Sequence, residues 1–208
     1  MEKRLFAITF GFFLILTISA CTSMPKVARV GVNTKVDLSG RWNDTDARTV
    51  CNSLVTDCLN NERVSSYIRQ FSSENGGRPP TVILGRFTNN TSEHIDTSII
   101  SKQMEIAIMN SGRLEFVASG GNREELRAER DDQLMNASEA TAPGVGNEIA
   151  ANFMLTGAIK VIEDRAGNMV VRSYFVSAEL TNIETNARLW MGENNDIKKR
   201  ITRPRVRI

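Results

Sequence analysis

The order of the periodic segments between residues 43 and 192 constrains the fold of this 208-residue chain more than any other feature. Apolar residues recur at helical spacing over residues 50–59 and 64–71. Beyond them we predict strands over residues 81–87, 114–118, 153–162, 169–180 and 187–192, with a helix before the second and the third. Strands joined by helices can pair in parallel through right-handed crossovers, and strands joined by turns pair antiparallel. The sequence therefore predicts an α/β fold, one mixed sheet of about five strands packed with helices.

Several helix boundaries and buried side chains also follow from the pattern. Residues 43–45 can cap the first helix, and Asp96 or Thr97 can cap a later one that ends at Gly112. Asn122 and Glu125 resemble a capping box for a charged helix to about residue 135. On the helix after Asp96, the predicted inner face consists of Ile99, Ile100, Met104, Ala107 and Ile108. Trp190 lies on the last predicted strand and is expected to be mostly buried.

The amino terminus has the pattern of an export signal. Lys3 and Arg4 precede an apolar run over residues 5–18, which ends in Ser19, Ala20 and Cys21. The run is shorter than the ~20 residues that span a bilayer. Its end resembles the lipobox of bacterial lipoproteins, in which a diacylglycerol is attached to the cysteine and the chain is cut before it. We therefore expect a signal peptide over residues 1–20 and lipidation at Cys21. An aspartate directly after the lipidated cysteine is the usual signal for retention in the inner membrane. Thr22 occupies that position here, so we expect an outer-membrane location.

Charge and composition divide the rest of the chain. Residues 21–36 have few large side chains and are predicted to be a tether, followed by one domain over residues 37–195. The chain from residue 21 to residue 197 carries a net charge of −5, whereas residues 198–208 carry +6. This distribution offers no general basic face for nucleic acid. We predict a basic tail over residues 196–208 that either is solvated or binds an anionic surface through Lys198, Lys199, Arg200, Arg203, Arg205 and Arg207.

The residue pattern favours a binding protein over an enzyme. Cys51 and Cys58 lie seven residues apart in a predicted helix, about 10.5 Å along its axis, which is too far for a disulfide. They are interpreted as small buried hydrophobes. His94 is the only histidine, and no CxxC pair, GxSxG motif or phosphate loop accompanies it. We therefore predict no metal, no cofactor, no small-molecule substrate and no catalytic residues.

Six segments together are similar to the LpoB family of outer-membrane lipoproteins, the activators of penicillin-binding proteins. They are residues 37–48 (DLSGRWNDTDAR), 82–90 (VILGRFTNN), 123–130 (REELRAER) with 132–133 (DQ), 152–157 (NFMLTG), 179–185 (ELTNIET) and 189–192 (LWMG). They occur in family order. The resemblance implies an α/β sandwich similar to the amino-terminal domain of TolB, which agrees with the predicted element order.

The same resemblance implies a function without catalysis. Family members bind a docking domain of a peptidoglycan synthase and stimulate cell-wall synthesis. The tether of this chain, about 15 residues, is shorter than the long proline-rich tether of the best-known members. A second interpretation stays open: residues 85–90 also resemble lipoproteins of curli-type export, which implies a structural or secretion-accessory role in the cell envelope.

One loop is the predicted contact with a partner. Residues 88–95 follow the carboxyl end of a central strand, where ligands of open α/β sheets bind. Thr88, Asn89, Asn90 and His94 offer hydrogen-bond donors and acceptors there. The alternative is a purely structural loop in which asparagine and threonine satisfy turn and cap groups.

Overall fold

The computed structural model describes residues 27–31, 34–138, 140–141 and 148–204. Cys21, the signal region, Arg205 and Arg207 lie outside these residues. The chain divides into two units, residues 1–34 and 35–208. The described residues of the first unit form neither helix nor strand, and the Thr34 N–H donates to the Gly31 carbonyl at 2.9 Å. In the part of the chain that the structure describes, no helix is long and apolar enough to cross a membrane.

Two helices begin the second unit. Helix α1 spans Asp44–Asn60 and begins with a capping box, in which the side chains of Asn43 and Asp46 each accept from the other's backbone N–H. Asn61 ends α1, and its side chain caps α2, Glu62–Glu74. Both apolar stripes predicted from the sequence face the core.

A strand–helix–strand–helix segment follows, consisting of β1 (Thr81–Asn89), α3 (Thr97–Ser111), β2 (Glu115–Phe116) and α4 (Gly120–Asn136). Asp96 caps α3, and Gly112 ends it in the left-handed conformation at φ 65°. Two details of the prediction are wrong. Ile99 is 53% exposed, and α4 begins at Gly120 after Ser119, so Asn122 and Glu125 lie inside the helix rather than at its cap.

The long strands complete the sheet. Strands β3 (Phe153–Ala166) and β4 (Met169–Asn182) form a hairpin around Gly167 and Asn168, followed by β5 (Arg188–Asn194) and β6 (Lys198–Thr202). The strand order is β2-β1-β3-β4-β5, and β6 also pairs with β4, beyond the end of β5. The pairs β1–β2 and β1–β3 are parallel, and all pairs of β4 are antiparallel. The predicted mixed sheet with packed helices is therefore confirmed.

The two faces of the sheet differ. Helices α1, α2 and α3 pack on the inner face, where they bury the alternate strand residues Val82, Phe153, Leu155, Ile159, Val176, Leu180 and Trp190. Trp190 is 5% exposed, as predicted, and its indole N–H donates to Asp57 of α1 at 2.9 Å. Cys51 and Cys58 are free and buried on the inner side, and burial raises the pKa of both thiols to about 12. The intervening strand residues point to the opposite, outer face.

Candidate functional site

A network of charged side chains, most of them buried, lies at the end of the sheet where β1 runs into the predicted contact loop. Glu93, in that loop, is at its centre. One carboxylate oxygen accepts from the Tyr174 hydroxyl at 2.8 Å and forms an ion pair with Arg172 at 3.4 Å, and the other accepts from the Trp42 backbone N–H at 3.1 Å. Burial raises the pKa of Tyr174, and the hydrogen bond to Glu93 raises it further. The phenol therefore stays protonated and remains a donor.

Lys199 holds a second part of the network. Its ammonium lies 2.5 Å from carboxylate oxygens of both Asp46 and Asp37, and it donates to the Arg41 carbonyl at 2.9 Å. Three acceptors match the three donors of an ammonium group. The lysine therefore ties β6 to the start of α1 and to the segment that precedes it.

Arg172 joins the two parts. Its guanidinium donates to Glu163 of β3 at 2.7 Å and to the Gly40 carbonyl at 3.4 Å, besides the contact with Glu93. The hydrogen bond from Arg172 lowers the pKa of Glu163, and Arg165 lowers it further. We call this network the polar clamp; its members are Asp37, Asp46, Glu93, Glu163, Arg172, Tyr174 and Lys199.

The polar clamp fixes the segment 37–43 over the end of the sheet. Gly40 has a positive φ of 65°, and a Cβ atom there would lie 2.3 Å from the Ile201 side chain. Glycine therefore permits both the turn and the close approach to β6. Residues 37–48, the first of the six segments that resemble the family, thus have a structural role. They cover β6 and anchor the contact loop through Trp42.

The four predicted contact residues of the loop divide into two kinds. Thr88 and Asn89 are half-buried at the end of β1, and Asn89 organises the loop: its side chain accepts from Thr91 and donates to the Glu93 carbonyl at 2.8 Å. The side chains of Asn90 and His94 are exposed. The arrangement leaves Asn90 and His94 accessible on a loop whose shape Asn89 and Glu93 hold.

The predicted basic tail begins as a strand. Lys198, Lys199 and Arg200 belong to β6, so alternation buries Lys199 in the polar clamp and leaves Lys198 and Arg200 exposed. The backbone of Arg203 continues the pairing, donating to the Asn168 carbonyl and accepting from the Asn168 side chain. The sequence did not predict this strand, because three consecutive basic residues are typical of a solvated segment.

The sequence analysis missed a groove on the other side of the domain. A space of about 620 Å³ lies between α3, β2 and α4, and we call it the α4 groove. Its lining combines apolar residues with three glutamates: Leu84, Met109, Phe116, Leu126, Glu105, Glu125 and Glu129. Helix α4 buries none of its side chains, and Leu126 is 53% exposed. Isolated leucines in an otherwise charged helix are the sequence signal that could have indicated it.

Helix α4 is held mainly by charge. Arg127 makes two hydrogen bonds of 2.9 Å to Glu148, and Arg130 lies 3.2 Å from the same carboxylate. These contacts lower the pKa of Glu148 to about 2, with the Arg127 hydrogen bond as the largest cause and the Arg130 bond second. Arg127 and Arg130 of α4 thus form ion pairs with a residue outside the helix rather than with the glutamates beside them.

Comparisons with known proteins identify a family and several structures to which this chain is similar. The family model described as peptidoglycan-synthase activator LpoB matches residues 46–195. Among solved structures, the LpoB C-terminal domain from Escherichia coli is similar at 13% identity, with 76% of this chain and 99% of that chain covered and a TM-score of 0.42. The lipoprotein GNA1162 from Neisseria meningitidis is similar at 9% identity, with 60% and 84% covered and a TM-score of 0.35. No curated protein matches the sequence.

Proposed function

Because the chain belongs to the LpoB family of peptidoglycan-synthase activators, we propose that it binds a penicillin-binding protein and stimulates peptidoglycan synthesis without being an enzyme itself. The observation that carries the proposal is the family match over residues 46–195, which runs from α1 to the end of β5. That range includes the contact loop and α4.

The proposal includes a lipid anchor in the outer membrane. Cys21 follows a signal-like apolar run, and two or more acyl chains on one protein anchor it stably because each buried methylene contributes about 0.8 kcal/mol. Replacing Cys21 by serine removes the thiol that accepts the lipid, so the variant is expected to be uncut or unanchored. Fractionation of cell membranes measures this. Wild-type protein found mainly in the inner membrane would contradict the sorting.

We place the contact with the synthase at the loop that the polar clamp holds. Asn90 and His94 project from it, and Glu93 connects its backbone to β4 and to Trp42. A loop held in one shape loses little conformational entropy on binding, which favours affinity. Thr88 and Asn89 then support the contact by maintaining the loop rather than by projecting from it.

The test combines capture with activity. Purified protein is incubated with a bifunctional penicillin-binding protein, and both co-purification and the rate of glycan polymerisation are measured. The Asn90→Ala/His94→Ala variant is expected to lose capture and stimulation while its thermal unfolding stays unchanged. Asn52→Ala/Asn60→Ala is the matched control, because both of those side chains are exposed on α1. Intact stimulation by the loop variant would move the contact elsewhere.

The same preparations test the second interpretation. A structural or secretion-accessory lipoprotein would assemble into rings and would not change the rate of a synthase. Analytical ultracentrifugation of the wild-type protein measures assembly directly. Rings without stimulation would overturn the synthase proposal.

A further inference from the structure

The outer face of the sheet carries a cluster of cations where β3, β4 and β6 pair. Alternation and register arrange its side chains in four rows. The first pairs Lys160 with Phe175, and the second joins Ile162, Ser173 and Lys198. The third joins Asp164, Val171 and Arg200, and the fourth Ala166, Met169 and Thr202. We call this surface the β6 face.

The three cations of the β6 face are free to bind another molecule. Lys160, Lys198 and Arg200 are exposed, and none of them forms an ion pair with a residue that the structure describes. Asp164 is the one acidic side chain in the four rows. This local excess of positive charge contrasts with the net charge of −5 on residues 21–197. An anionic partner is therefore favoured at this face over the rest of the domain.

Apolar side chains lie between these cations. Ile162 is 61% exposed and Met169 41%, and Val171 and Phe175 beside them are half-buried. In the part of the chain that the structure describes, no helix covers these rows. Exposed apolar groups mixed with lysine and arginine on a pleated surface are suited to the boundary between phospholipid head groups and acyl chains.

The β6 face also lies near the point where the tether enters the domain. Asp37 binds Lys199, and Gly40 packs against Ile201, so the segment that follows the tether contacts β6 directly. If Cys21 is lipidated, as the proposed function holds, about 15 residues separate the anchored cysteine from Asp37 and span at most ~50 Å. The strand that carries Lys198 and Arg200 is thus in contact with the segment that directly follows the tether.

We propose that the β6 face docks on the anionic phospholipid surface of the membrane that anchors the chain, an inference that rests on the lipid anchor of the proposed function. The three cations contact phosphate groups, while Ile162 and Met169 enter the head-group boundary. Docking holds the domain in one orientation on the membrane. The contact loop, at the same end of the sheet, is then presented at a constant height.

The test uses the mature chain, residues 21–208, with Cys21→Ser so that no acyl chain contributes. Co-flotation is measured with phosphatidylcholine vesicles that contain or lack phosphatidylglycerol. Binding is expected only with phosphatidylglycerol, and it should weaken with added salt, since exposed charges are screened within ~8 Å at 0.15 M. A basic residue near an anionic bilayer contributes about fivefold to partitioning, so Lys198→Gln/Arg200→Gln should lower binding about 25-fold.

Matched variants make the result specific. Arg63→Gln/Arg78→Gln also removes two exposed cations, on and after α2, and should bind as the wild type does. Ile162→Ser should weaken binding several-fold without a change in salt dependence. A chain that ends at Arg203 should keep binding. This variant distinguishes the contribution of β6 from that of residues 205–208, which include two arginines. Equal losses for the two double variants, or complete loss on truncation, would overturn the proposal.

Two further outcomes separate this inference from the proposed function. Synthase stimulation without vesicle binding by the same wild-type preparation would overturn the β6 face alone. Vesicle binding without stimulation would overturn the synthase proposal and leave the membrane contact standing. Preferential binding to purified cell-wall sacculi, with no binding to vesicles, would also overturn the membrane assignment.

Discussion

The polar clamp and the α4 groove show two ways in which one small domain uses charge. In the clamp, carboxylates and cations that are mostly buried face one another, and partners from distant parts of the chain hold them in place. At the groove, helix α4 buries none of its side chains, and the ion pairs of Arg127 and Arg130 with the exposed Glu148 hold it in place. Breaking a buried ion pair destabilises a protein strongly, because the remaining charge is left without water or a partner. An exposed ion pair contributes little, because water solvates both of its charges.

The comparison predicts different mobility at the polar clamp and at the α4 groove. Loss of a single partner in the clamp leaves a buried charge uncompensated, so local opening there is costly. Opening of α4 exposes little new apolar surface, because Leu126 and its neighbours are already in contact with water. We expect the contact loop to be held in one conformation and α4 to move, and the following predictions test that difference in order of decreasing effect.

Replacing Lys199 by alanine should have the largest effect. The substitution leaves the buried Asp46 and the more exposed Asp37 without their shared cation, and breaking the buried ion pair with Asp46 costs about 3–5 kcal/mol. Chemical denaturation measures the free energy of unfolding. Lys198→Ala, one residue away but exposed, is the control and should change stability by less than about 0.5 kcal/mol. Similar losses for the two variants would show that the ammonium of Lys199 is solvated.

Replacing Tyr174 by phenylalanine should have an intermediate effect. The change removes the hydroxyl that donates to Glu93 and keeps the ring contact with Trp42. A hydrogen bond to a charged group contributes about 1.5–3 kcal/mol, so the free energy of unfolding should fall by about that amount. Tyr67→Phe serves as the comparison: its ring packs on Phe153, and its hydroxyl makes no hydrogen bond with a residue that the structure describes. An unchanged stability for Tyr174→Phe would remove Glu93 from the centre of the clamp.

Replacing Leu126 by alanine should have a small effect on stability. The side chain is more than half exposed, so the loss is expected to stay below about 1 kcal/mol. Leu54→Ala, at a buried position of α1, should cost about 2–5 kcal/mol in the same assay. If Leu126→Ala instead reduced synthase capture, the α4 groove rather than the loop would be the binding surface.

Acid should release α4 before it unfolds the rest of the domain. The pKa of Glu148 is lowered to about 2 by Arg127 and Arg130, so its contribution is complete above the ordinary glutamate pKa of about 4.5. It is lost as the pH falls from there toward 2. Hydrogen exchange of the α4 amides, compared between pH 6 and pH 3, should show faster opening at the lower pH. The Glu148→Gln variant should show little such difference, and an equal difference in both proteins would assign the effect to other carboxylates.

The sequence predicted most of the fold because local patterns carried it. Asn43, Asp96 and Gly112 determine where helices begin or end through hydrogen bonds within a few residues of one another. Alternation in residues 169–180 identified β4 from which side chains are apolar, and Trp190 was predicted to be buried because it lies on such a strand. These signals depend on neighbours in sequence, and so they can be interpreted without knowing what packs against them.

The candidate site depends on contacts that no local pattern contains. Lys199 and Asp37 are 162 residues apart in sequence, and Tyr174 and Glu93 are 81 apart, yet each pair is joined directly. A run of lysines and arginines therefore has the same sequence pattern whether it is solvated or forms β6. The sequence by itself determined the order of the elements from α1 to β5 and the resemblance to the family, and it predicts the anchoring signal. Only the tertiary structure decided which charges are buried and which face outward, because burial is set by distant elements whose packing completes the sheet.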